Sequence, residues 1–134
     1  MSPHRFAVRV YYEDTDLAGI VYYANYLRYI ERARTEFVRE LGIDQSKLRD
    51  QEGIVFAVRR IEADYLTPAR FDDQLVITTE LVTLSGARLV LSQKVATQET
   101  ECFEARVTLA AMRLTGRPAR LPQAMRDGLE ALRG

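Results

Sequence analysis

The stretch Tyr11-Tyr12-Glu13-Asp14-Thr15-Asp16-Leu17-Ala18-Gly19-Ile20-Val21-Tyr22-Tyr23-Ala24-Asn25-Tyr26 decides the fold, because the apolar period changes across it. Before it, Phe6, Val8, Val10 and Tyr12 alternate with Arg5, Ala7, Arg9 and Tyr11, the period-two pattern of a strand with one buried face. After it, Tyr26, Leu27, Ile30, Ala33, Phe37, Val38 and Leu41 recur at helical spacing. Arg28, Glu31, Arg32, Thr35, Glu36 and Arg39 fill the opposite face. The spacing predicts a helix over residues 23–41, about 28 Å long at 1.5 Å per residue, with Gly42 as its stop. A strand therefore delivers an acidic loop to the start of the chain's one long helix. There a carboxylate meets backbone N–H groups that lack intrahelical acceptors and carry the positive end of the helix dipole.

Beyond the helix, Gly53 precedes a strand-forming run from Ile54 to Leu66, and Pro68 with Asp72-Asp73 marks a turn. Ser85-Gly86 separates two alternating runs, residues 74–84 and 88–97, which read as an antiparallel hairpin. Gln98-Glu99-Thr100-Glu101 makes the next turn, and residues 102–114 give the last strand. Pro122 reads as a first helical residue, ahead of a short terminal helix carrying Met125, Leu129 and Leu132. Strand, helix and four further strands joined by short turns imply an α+β chain: a five-stranded antiparallel sheet around one long helix. One helix cannot cover both faces and edges of such a sheet, so at least a dimer is expected.

A chain of 134 residues reads as one domain spanning 1–134. Nineteen basic residues cancel nineteen acidic ones, which argues against a nucleic-acid partner held by phosphate neutralisation and leaves small anions as ligands. Cys102 is the single cysteine, so no disulfide framework or Cys-x-x-Cys zinc pattern exists. Met1-Ser2-Pro3-His4-Arg5 opens no apolar leader, and no run reaches the ~18 apolar residues of a spanning helix. These features place the chain in the cytoplasm. Acids at loop positions one and three with Gly19 at six invite a calcium-loop reading, which Asn25 at position twelve rejects. No G-x-S-x-G elbow, Walker loop or G-x-G-x-x-G fingerprint is present, so no metal or redox cofactor is implied.

From Tyr12 to Tyr26 the sequence resembles the signature of the YbgC and 4-hydroxybenzoyl-CoA thioesterase group, aromatic-x-D-x-D-x-x-G-[IV]-V-aromatic-[YH]-x-x-Y. Residues 8–16, Glu31-Arg32-Ala33-Arg34-Thr35-Glu36 and residues 63–73 further resemble the branch associated with the Tol-Pal system. The resemblance implies a hotdog fold and hydrolysis of acyl-CoA, in which coenzyme A is part of the substrate and no separate cofactor takes part. It maps the catalytic aspartate onto Asp16 and an oxyanion-binding backbone N–H onto Tyr23, with Gly19 in the substrate loop. It also implies a homodimer or homotetramer, acyl carrier protein as a second possible carrier, and a position peripheral to the inner membrane. Many members of the YbgC branch carry His where this chain has Tyr23, and the one histidine here is His4, outside the motif.

An isolated Asp in a polar loop is usually a turn or capping residue. The surrounding motif favours catalysis by Asp16 and leaves Asp14 structural. Glu31 is the rival carboxylate; its ordinary role is a surface partner for Arg28 or Arg34. Tyr22, Tyr23 and Tyr26 read as core aromatics as far as their rings go. For the phosphates of coenzyme A, Arg88 beside Ser85 and Gly86 is the first candidate, ahead of Arg59, Arg60, Arg113, Arg117 and Arg120. The competing class is a non-hydrolytic adaptor that holds acyl-CoA or acyl carrier protein at the cell envelope.

Overall fold

The computed structural model describes residues 3–133; Met1 and Ser2 of the N-terminal reading, and Gly134 of the 1–134 domain reading, lie outside the described residues. The strands are β1 His4–Arg9, β2 Ile54–Tyr65, β3 Gln74–Leu84, β4 Arg88–Ala96 and β5 Glu101–Arg113, and the helices α1 Asn25–Glu40, α2 Gln45–Lys47 and α3 Gln123–Arg133. One antiparallel sheet forms in the order β1-β3-β4-β5-β2. This is the five-stranded hotdog arrangement that the resemblance implied, with α1 packed on β3, β1 and β4.

Alternation builds the inner face. Leu75 and Ile77 of β3, Leu89, Leu91 and Val95 of β4, and Phe103 and Val107 of β5 are buried against Tyr26, Tyr29, Ile30, Ala33 and Phe37 of α1. Burying each large side chain contributes about 1.5–3 kcal/mol, enough for the sheet and helix to hold each other in place. Gly42 ends α1 at φ +84°: its N–H donates to Arg39 O and that of Ile43 to Val38 O, the paired bonds of a Schellman stop.

Several expectations are corrected. β1 closes at Arg9, and Tyr12 falls in a 3-10 turn, Tyr12–Asp14, where it is 82% exposed; strand alternation cannot continue through a turn. α1 runs over 16 residues and is shorter than the expected 23–41, because Tyr22 to Asn25 are spent on a turn before the helix. Leu27 is exposed, and Tyr29 takes the core place beside Tyr26. Pro122 precedes α3, and its carbonyl accepts the first helical bond from Arg126 N–H.

Arg34 departs most from expectation. It is only 9% exposed and lies on the core stripe, where Nη1 donates to Gln93 Oε1 at 3.0 Å. Gln93 Nε2 in turn donates to Ile30 O and Thr79 Oγ1, both at 3.0 Å. A buried polar relay thus ties the middle of α1 to β4 and β3. Desolvation lowers the Arg34 pKa, with the Glu31 charge acting against it. Gln93→Leu keeps the bulk but strands Arg34 Nη1, and leaves the Ile30 carbonyl with its helical bond alone. It is expected to cost about 1–3 kcal/mol in urea denaturation, and an unchanged midpoint would show that the relay adds nothing to stability.

Candidate active site

β1 hands the chain to the acidic loop through Val10, whose N–H donates to Asp73 O and whose carbonyl accepts from Asp72 N–H. The loop is therefore pinned at the start of β3. Asp14 Oδ2 accepts the Tyr11 N–H at 2.8 Å, while its carbonyl accepts Tyr22 N–H and Asn25 Nδ2, both at 2.9 Å. Asp14 is thus tied into the loop through one carboxylate oxygen and through its backbone carbonyl.

Asp16 opens a tight turn in which Gly19 N–H returns to Asp16 O at 3.0 Å and Asp16 N–H bonds Ile20 O at 2.9 Å. Gly19 sits at φ +78°, a region where a side chain would strain the backbone. Asp16 Oδ1 accepts the Ala18 N–H at 2.9 Å. Among the described residues no group bonds Oδ2, which leaves one carboxylate oxygen exposed and unpaired for chemistry. The capping role that Asp commonly plays is real here, and it orients the side chain without using it up.

The next turn runs from Tyr22 to Asn25, closed by Asn25 N–H to Tyr22 O at 2.8 Å. Such a turn uses its first carbonyl and its fourth N–H, so the N–H groups of the two central residues take no part in it. Those residues are Tyr23 and Ala24, and among the described residues neither N–H has a protein acceptor. Ala24 then caps α1 in helical conformation, φ −69° and ψ −20°. Two unaccepted donors thus stand at the positive end of the α1 dipole.

The aromatic side chains divide. Tyr26 is buried, stacked on Phe103 at 4.9 Å and 8° between planes, and its hydroxyl accepts the Ala69 N–H at 3.1 Å. Tyr22 and Tyr23 are exposed, at 45% and 61%, with their rings 4.9 Å apart, so the core reading fails for both. A polar contact with the Tyr23 phenol, and least of all the Asp16 charge, raises the Tyr22 pKa. Tyr65, at the end of β2, was not singled out from the sequence. Its hydroxyl donates to Tyr23 O at 3.2 Å. Tyr23, Tyr26 and Tyr65 line a largely apolar cleft of about 200 Å³ with Val21, Leu66 and Cys102, whose thiol pKa is raised by burial. A larger cavity of about 460 Å³ around His4, Phe37 and Glu40 contains none of the residues of the acidic loop.

The other candidates lie elsewhere. Glu31 is exposed on α1, about 9 Å along the helix from Asn25, and borders a separate cavity with Arg34 and Phe56. Arg9 pairs with Asp72 just before β3, whereas Ser85, Gly86 and Arg88 sit at the far end of that strand. The eleven residues of that strand separate the two ends by roughly 33 Å. The carbonyls of Ser85 and Gly86 are occupied, by Arg126 Nη1 at 2.8 Å and Leu121 N–H at 3.0 Å. The Arg88 side chain is exposed without a carboxylate partner among the described residues, Arg60 pairs with Glu62, and Arg113 donates to Glu52 O.

Comparison with known proteins gives a consistent match. The family model described as the thioesterase-like superfamily matches residues 10–129. The acyl-CoA thioester hydrolase YbgC of Escherichia coli O6:H1 is 41% identical over 123 residues, 90% of this chain and 91% of that protein. The acyl-CoA thioesterase YbgC of Haemophilus influenzae is 39% identical over 109 residues, 81% of this chain and 80% of that protein. The crystal structure of a probable thioesterase from Bartonella henselae superposes with a TM-score of 0.86 at 39% identity, covering 90% of this chain and all of that one.

Proposed function

The chain belongs to the thioesterase-like superfamily, and from that premise we propose the reaction it runs and the residues that run it. It is an acyl-CoA thioesterase: acyl-S-CoA and water give a carboxylic acid and free coenzyme A. The observation that carries the residue assignment is the pairing, within residues 16–24, of a carboxylate with one unpaired oxygen and a turn presenting two unaccepted N–H groups.

The Asp16 carboxylate attacks the thioester carbonyl or takes a proton from water that does. The carbonyl oxygen gathers negative charge against the Tyr23 N–H at the head of α1. The C–S bond then breaks and the thiolate leaves, taking up a proton; where Asp16 itself has attacked, water then hydrolyses the resulting Asp16–acyl anhydride, which frees the acid and restores the carboxylate. The acyl end enters the cleft lined by Val21, Tyr26, Tyr65 and Cys102.

A second copy of the chain completes the picture we propose. β2 is an edge strand of twelve residues, exposed along most of its length beyond Val58, and a bare edge of that length favours pairing with another chain. Arg88, Ser85 and Gly86 are too far from Asp16 of their own chain, so any grip they have on coenzyme A serves the site of a neighbour. Among the described residues no helix is long and apolar enough to cross a membrane. The free buried thiol of Cys102 supports a reducing, cytoplasmic setting.

Thiol release across a panel of acyl-CoA and acyl carrier protein thioesters tests this reading. Turnover of at least one acyl-CoA is expected, together with loss of activity on dilution below the oligomer's dissociation constant. Tight binding of every thioester with no thiol released would instead describe an adaptor.

A further inference from the structure

The Tyr23 carbonyl and the Ala24 N–H are two ends of one peptide unit, and Tyr65 touches the first of them. We propose that Ala24 N–H is a second oxyanion donor and that Tyr65 is the positioning residue that strengthens it through the Tyr23–Ala24 peptide. The inference rests on the assignment of Asp16 and the Tyr22–Asn25 turn to thioester hydrolysis.

The physical link is amide resonance. A hydrogen bond to a peptide oxygen draws electron density from nitrogen, leaving the N–H a stronger donor; such chains strengthen each bond by about 10–30%. Tyr65 Oη lies 3.2 Å from Tyr23 O, beyond the ~2.7–2.8 Å usual for O–H···O bonds. As an oxyanion pulls on the Ala24 N–H, the Tyr23 oxygen becomes more basic and this bond tightens. The stabilisation therefore grows from ground state to transition state, which is the kind that accelerates a reaction.

The surroundings keep Tyr65 in this role. Its ring is held edge-on by Phe103 at 5.0 Å, by Tyr26 at 5.7 Å and by Tyr23 at 6.2 Å, so the hydroxyl is aimed by rings from α1, β5 and the turn itself. Burial, and then the neighbouring Tyr23, raise the Tyr65 pKa, and the hydroxyl stays protonated and able to donate. Ala24 N–H has no competing acceptor among the described residues, and the residue is only partly buried. Two consecutive free N–H groups form a small anion-binding concavity, a better match to an oxyanion with several lone pairs than one donor alone.

Tyr65→Phe removes the hydroxyl and keeps the ring contacts. It is expected to lower kcat about two- to tenfold, with KM within about twofold and the thermal midpoint little changed, since a fraction of one oxyanion bond is lost and no binding contact. The Ala24 amide proton should move upfield in the NMR spectrum of the free protein, while distant amides stay put. Site-specific 3-fluorotyrosine at position 65, a more acidic donor, should raise kcat above that of the unmodified protein. Unchanged kcat in Tyr65→Phe overturns the inference, as does a fall in kcat with no movement of the Ala24 amide or no response to fluorination. Hydrolysis that survives Asp16→Asn overturns the underlying site assignment instead, whatever Tyr65→Phe does.

Discussion

Asp16→Asn is expected to abolish thioester hydrolysis while the loop keeps its shape. Asparagine retains an oxygen that can accept the Ala18 N–H now bonded to Asp16 Oδ1 at 2.9 Å, and the Asp16–Gly19 turn is closed by backbone groups that the change does not touch. What disappears is the negative charge on the unpaired oxygen, and with it both the nucleophile and the base. Positioned acid–base groups contribute about 10²- to 10⁴-fold, so kcat should fall by at least that factor, about 2.7–5.4 kcal/mol on the barrier. KM should change little, because the acyl cleft and the N–H donors remain. Steady-state kinetics beside a thermal melt check both statements. Glu31→Gln, on an exposed stretch of α1, should leave kcat within about tenfold. A reversal, with Glu31→Gln inactive and Asp16→Asn active, would move catalysis onto the helix.

The contrast between these two carboxylates bears on what sequence can carry. Periodicity located β3 and β4 nearly to the residue, because alternating runs on either side of Ser85-Gly86 leave little freedom of register. Phase speaks for polar residues too. Arg34 stands four residues after Ile30 and three before Phe37, squarely on the buried stripe, where the structure has it. Gln93 and Thr79 occupy inward phases of β4 and β3 in the same way, and three polar residues in apolar phase on neighbouring elements are the signal of a buried relay.

The proposed catalytic corner was legible only in part. Asp16 was singled out through its motif, since an Asx turn alone looks the same in any loop. The Tyr22–Asn25 turn was not, because nothing in Tyr-Tyr-Ala-Asn separates a preliminary turn from the first turn of a helix. Tyr65 is contributed by β2, 42 residues from the carbonyl it contacts, and a side chain bonded to a backbone atom at that distance leaves no pattern to read. Arg88 drew attention by its adjacency to a glycine turn, and strand register puts it at the far end of the sheet from Asp16 of its own chain.

Tyr23 allows the backbone and side-chain contributions to be separated. Its phenol is exposed and its N–H has no protein acceptor, so the hydroxyl can be removed alone and then the N–H together with the ring. Tyr23→Phe deletes the hydroxyl and keeps the ring stacked beside Tyr22 and Tyr65; kcat should stay within about tenfold, or about 1.4 kcal/mol. Tyr23→Pro deletes the N–H. The second residue of a turn is where proline is best tolerated, and Tyr23 holds that place in the Tyr22–Asn25 turn ahead of α1, so no helical hydrogen bond is sacrificed. Loss of one oxyanion donor costs about 10²- to 10³-fold in turnover, and that is the fall expected of a Pro variant whose circular dichroism and melting match the parent. Ala24 N–H survives the change and sets the residual rate. A Phe variant as inactive as a folded Pro variant would assign the chemistry to the phenol, and tyrosine would then stand in for the histidine that relatives of the YbgC branch carry at this position.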